Sequence, residues 1–70
     1  MTLTINGDSR QFDNVSNLAE LIDVLGLKGD RVAVELNRYI VSRPDWPATP
    51  VNDGDKLEIV HFVGGGRPVD

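Results

Sequence analysis

The sequence predicts an α+β fold: a mixed sheet of four to five strands packed on one main helix. Three observations lead there. A single stretch, "NLAELIDVLGL", has helical period. Short strand-type runs separated by turn residues lie before and after it. The last of these, "KLEIVHF", is apolar on both faces, which suits a central strand rather than an edge. One amphipathic helix cannot bury its stripe alone, and a sheet with one apolar face is the partner it lacks.

The first element is a β-hairpin. In "TLTINGDSRQF", Leu3 and Ile5 alternate with polar neighbours before Asn6-Gly7. Both central positions of a two-residue type I′ turn need positive φ, which Asn and Gly tolerate best. The pairing expected is Leu3 to Ile5 against Arg10 to Phe12. In the helix, Leu18, Leu21, Ile22 and Leu25 fall on one stripe. Asn17 is a suitable N-cap, Glu20 sits where its carboxylate can reach back, and Gly26 can take the left-handed position that ends the helix. "RVAVEL" then places Val32, Val34 and Leu36 on one face of a strand, and Asn37-Arg38 turns the chain into a short run from Tyr39 to Val41. "SRPDWPATP" holds three of the four prolines and cannot be a central strand, because proline lacks the ladder N–H. An irregular crossover is expected there, with Trp46 folded back on the core edge and its indole N–H on a backbone acceptor. "NDGD" is a tight turn that launches the last strand, adjacent and parallel to the first. The arrangement is a β-grasp, residues 1–63 forming the domain and 64–70 a flexible C-terminal tail.

Composition narrows the function. At 70 residues there is room for one domain, and a chain this short buries only about 60% of its unfolded surface. The chain has no cysteine, which removes disulfides, thiolate metal sites and a cysteine nucleophile. His61, the sole histidine, makes no metal site without several convergent carboxylates, so no metal is expected. Its ordinary reading is a partly exposed strand residue rather than a general base. Asp53 and Asp55 flank Gly54 in a turn too short for a calcium loop. Seven basic residues against eleven acidic give a net charge of −4, and the basic ones are dispersed. Nucleic acid is therefore not an expected partner, whereas a basic protein surface is. No apolar run approaches the roughly 18 residues of a membrane span, and no signal peptide is evident, so a cytoplasmic protein with no membrane partner is expected.

Two features have a functional reading beside a structural one. Val60 and Phe62 alternate with the helix-facing Leu57 and Ile59, which sends them to the uncovered sheet face, with Tyr39 or Val41 as candidate neighbours. They are either a docking patch or scattered exposed apolar residues. Gly64-Gly65-Gly66 is either a frayed end or a side-chain-free segment that a narrow catalytic tunnel can admit.

"VHFVGGG", preceded by "VNDGDKLEI", resembles the carboxyl end of the ThiS family of ubiquitin-like sulfur carriers, related to the small subunit of molybdopterin synthase. "LNRYIVSRPDW" is similar to the family's middle stretch at Asn37, Ile40, Val41, Arg43 and Trp46, and the resemblance covers residues 1 to 66. It implies a sulfur carrier for the thiazole of thiamine, not itself an enzyme and binding no cofactor. A ThiF-type enzyme would use ATP to adenylate the terminal glycine, here Gly66, with Val63, Gly64 and Gly65 threading its active site. Sulfur from a cysteine desulfurase persulfide would displace AMP, and the thiocarboxylate would serve a ThiG-type thiazole synthase. Val60 and Phe62 would form the partner-docking surface. One departure matters: Arg67-Pro68-Val69-Asp70 follows the glycines, so Gly66 holds an amide where a free carboxylate is needed. Trimming by a protease is expected. The alternatives are a carrier for another product (cysteine, a thio-siderophore, molybdopterin) and a β-grasp interaction module whose tail does no chemistry.

Overall fold

The computed structural model of the chain describes residues 1–63 and 67–68, with side chains through Phe62. Its strands are β1 (Thr2–Ile5), β2 (Asp8–Gln11), β3 (Val32–Leu36), β4 (Tyr39–Val41), β5 (Lys56–Val63) and β6 (Arg67–Pro68). The helix α1 spans Leu18–Val24, and short 3-10 segments cover Gly29–Arg31 and Arg43–Ala48. Strand order is β2-β1-β5-β3-β4, with β6 beside β5. Strands β1 and β5 run parallel at the centre, and the other pairs are antiparallel. This is the β-grasp expected from the sequence.

Local chemistry accounts for the boundaries. Asn6 and Gly7 take φ values of 50° and 87°, which closes a two-residue turn and sets Ile5 opposite Asp8. The second strand consequently starts at Asp8 and ends at Gln11, earlier than the Arg10–Phe12 span expected. Phe12 follows the strand, buried, with its N–H donating to Met1 O at 2.9 Å. At the helix start, Glu20 N–H donates to Asn17 Oδ1 at 2.9 Å. The Glu20 carboxylate reaches one residue beyond the cap, accepting from Ser16 N–H at 2.8 Å and Ser16 Oγ–H at 2.6 Å. Those two bonds, the hydroxyl one first, hold its pKa below the usual glutamate value. Gly26, at φ 74°, ends the helix where a side chain would be strained.

Leu3, Leu18, Leu21, Leu57 and Val34 are completely enclosed between α1 and the sheet. Full burial of such side chains contributes about 1.5–3 kcal/mol each. The proline-rich crossover is more regular than expected. Asp45 N–H donates to Ser42 O, and Thr49 N–H to Trp46 O, both three residues back. Pro44 occupies a first-turn position where no donor is needed, while Pro47 cannot donate at all, so the segment stays a single short 3-10 helix. It delivers Trp46, 4% exposed, onto the core, with Nε1–H donating to Val41 O at 2.9 Å. Gly29 lets that ring approach closely: a Cβ there would lie 3.1 Å from the Trp46 ring and 3.0 Å from Arg43 Nε. No helix among the described residues is long and apolar enough to cross a membrane.

Candidate functional site: the last strand and the open sheet face

The strand that leads to the glycines is held on both sides. On one flank β1 pairs with it only at Lys56 and Leu57. Beyond that point the Asn6 side chain takes over from the ended strand: Ile59 N–H donates to Asn6 Oδ1 at 2.7 Å, and Asn6 Nδ2 donates to Ile59 O at 3.2 Å. On the other flank β3 pairs with β5 from Leu57 to His61. The turn before it is fixed by carboxylates. Asp55 accepts from Asn52 N–H at 2.8 Å and from Asn37 Nδ2 at 3.0 Å, while Asp53 accepts from Thr2 N–H at 2.6 Å. Both aspartates thus tie the ends of strands together, which is the turn role read from the sequence.

Register defines the face. Val60 stands opposite Ala33, and Glu58 opposite Glu35, which in turn stands opposite Ile40. These residues share the side of the sheet away from α1, because Leu57 and Ile59, of the other parity, are core residues. Val60 is 51% exposed there, and Phe62 is half-buried. Ile40, at 80%, is the third large apolar residue of this face. The sequence reading placed Tyr39 or Val41 beside Val60, and that parity is incorrect. The two-residue turn at Asn37-Arg38, with φ of 48° and 77°, sets Leu36 opposite Tyr39. Tyr39 and Val41 therefore belong to the helix side and Ile40 to the open side. Two-residue turn geometry was the signal that identifies Ile40.

Val63 is the last residue of β5. Gly64, Gly65 and Gly66 lie outside the described residues. The backbone of Arg67 and Pro68 pairs antiparallel with Val63 and Phe62. His61 is exposed and shares a shallow depression with Arg10, Asn6, Ile5, Leu25 and Leu27. Among the described residues no carboxylate or nucleophile lines that depression, so they offer no acid–base pair there.

Comparison with known proteins agrees with this geometry. The ThiS family model matches residues 3–66. Over 66 residues the chain is 47% identical to a thiazole synthase of Paramagnetospirillum magneticum, a match that covers 94% of this chain and 20% of that protein. The chain thus spans about a fifth of the length of the thiazole synthases it matches. It is 34% identical to the sulfur carrier protein ThiS of Bacillus subtilis, covering 91% of this chain and 98% of that one. The crystal structure of the thiamine biosynthesis protein ThiS from Geobacter metallireducens superposes with a TM-score of 0.80 at 39% identity, covering 94% of this chain and 100% of the other. A family match over nearly the whole β-grasp domain, tail glycines included, has one meaning: the chain belongs to the ThiS family.

Proposed function

We propose that this protein carries sulfur for thiamine biosynthesis on the carbonyl carbon of Gly66. The observation that supports this most is the anchoring of β5. Ladders with β1 and β3, extended by the Asn6 amide, hold the strand up to His61. The glycines begin three residues later, directly after Val63 at the end of the strand. Three fully extended residues reach about 10 Å, so a carboxylate at Gly66 stands close to a body that an enzyme can grip. A carboxylate is a poor acyl donor. Attack of its oxygen on the α-phosphorus of ATP releases pyrophosphate and gives an acyl-adenylate; a persulfide sulfur then displaces AMP to give an acyl disulfide, and a thiol cleaves its S–S bond, leaving the thiocarboxylate and a disulfide. The ATP belongs to a ThiF-type adenylating enzyme, and the carrier contributes main chain without side groups at Gly64, Gly65 and Gly66.

Val60 and Phe62 form the docking surface for that enzyme in this reading, and Val63 begins the threaded segment. The recipient of the sulfur is a thiazole synthase of the ThiG type. Relatives bearing that name contain a segment like this chain, and joining carrier and recipient in one polypeptide raises their effective concentration. Because Gly66 is followed by Arg67, hydrolysis of the Gly66–Arg67 bond by a protease must come before adenylation. The protein works as a co-substrate in the cytoplasm and is not itself an enzyme. The test is reconstitution with a ThiF-type enzyme and ATP. A chain ending at Gly66 is expected to drive pyrophosphate release and the full chain is not. Equal activity of the two, or none from either, would refute the proposal.

A further inference from the structure

Phe62 and Val63 lie past the last rungs that β1 and β3 give the final strand. Pairing with β1 stops at Leu57, and pairing with β3 stops at His61. Among the described residues the partner that carries β5 on to Val63 is β6, with Pro68 opposite Phe62 and Arg67 opposite Val63. Backbone chemistry sets the side on which it lies. Hydrogen-bonded and non-hydrogen-bonded pairs alternate along an antiparallel ladder. Pro68 has no N–H to exchange, so Val63 and Arg67 form the hydrogen-bonded pair and Phe62 and Pro68 the other. At that position on an edge strand a proline loses no ladder bond. The backbone groups of successive residues point to alternate flanks of a strand. Those of Leu57 and Ile59 face the β1 flank, where Asn6 N–H donates to Leu57 O and the Asn6 amide meets Ile59. Val63 has the same parity, so Arg67 joins that flank as well. One edge of β5 is served in succession by Asn6 main chain at Leu57, Asn6 side chain at Ile59 and Arg67 at Val63.

We propose that the residues after the glycines are an intramolecular cover: while joined to Gly66, the Arg67 backbone occupies the edge of β5 at Val63, and cutting after Gly66 releases it, so that β5 ends at His61. This deepens the functional reading above, in which Val63 begins the threaded segment. The extension then withholds the tail twice, by the amide at Gly66 and by pairing at the tail's root. Only three residues separate Val63 from Arg67, so the tether keeps the pairing intramolecular and favourable. Hydrolysis adds one water across the Gly66–Arg67 bond and leaves a carboxylate on Gly66 and an ammonium on Arg67. The four residues cut free must then bind as a separate molecule, and one hydrogen-bonded pair does not offset the freedom lost on association. The cover therefore leaves as soon as it is cut.

Hydrogen exchange followed by NMR tests this on three chains: the full protein, one ending at Gly66, and full-length Arg67→Pro, which keeps the length and removes the Arg67 N–H. Protection of the Val63 N–H is expected to fall on the order of tenfold in the second and third, with that of the Ile59 N–H unchanged. Equimolar peptide Arg-Pro-Val-Asp added to the chain ending at Gly66 is expected to restore nothing; restored protection would overturn the release. Equal protection of Val63 in the full and the shortened chain overturns the inference and leaves the functional reading, which needs no cover, standing. Full protection retained in Arg67→Pro overturns it too. Loss of protection on shortening, in a chain that no adenylating enzyme then activates, upholds the cover and defeats the functional reading alone.

Discussion

Asn6 extends the β1–β5 ladder from a side chain, and its replacement by glycine measures how much that extension anchors the last strand. Strand β1 ends at Ile5, yet β5 runs six residues past Leu57, the last residue it pairs with β1. The Asn6 amide accepts from Ile59 N–H at 2.7 Å and donates to Ile59 O at 3.2 Å, supplying the next rung of the ladder from a side chain. Asn6→Gly keeps the φ of 50° acceptable, so the turn survives and only the two bonds are lost. Each contributes about 0.5–1.5 kcal/mol net, for a total of about 1–3 kcal/mol. In a domain of this size 1 kcal/mol moves the melting temperature by about 4–8 °C, so a drop of about 4–24 °C is expected. Thermal unfolding by circular dichroism reads the total, and hydrogen exchange at the Ile59 amide reads the site. A variant melting within 2 °C or so of the parent, with Ile59 still protected, would refute the view that this amide anchors the strand.

Three further outcomes are expected. Trp46→Phe removes the indole N–H that donates to Val41 O and leaves a partly buried carbonyl without that partner, costing about 0.5–1.5 kcal/mol in denaturant unfolding. Glu20 has a folded pKa below its ordinary 4.5, so its contribution is complete above the unfolded value and is lost as pH falls through the folded one. In Glu20→Gln that part of the acid destabilisation should be missing from a pH series of melts. Gly65→Leu should abolish pyrophosphate release in reconstitution while leaving the melting temperature of the domain unchanged; retained activity would defeat the tunnel argument.

Much of this fold was legible in the chain because its signals are local. Leu18, Leu21 and Ile22 at helical spacing, the Asn17 cap and the Gly26 stop define α1 without any tertiary information. The double apolarity of β5 correctly placed it at the centre, parallel to β1. What could not be read was set by contacts between distant segments. The seating of Trp46 against Gly29 joins separate segments, and the rung supplied by Asn6 depends on a residue 53 positions away. The face of β4 was legible in principle. Asn37-Arg38 is a two-residue turn, which sets Leu36 against Tyr39 and leaves Ile40 on the open side. The like-charged pair at Glu35 and Glu58 required the β3–β5 register, which no local pattern specifies.

The central claim concerns one atom, the carbonyl carbon of Gly66, and intact-mass spectrometry of the protein purified from its own cells under thiamine limitation addresses it directly. The account predicts a species whose last residue is Gly66, with sulfur replacing one carboxylate oxygen. Recovery only of chains that continue through Arg67, with no sulfur gained under that limitation, would contradict it.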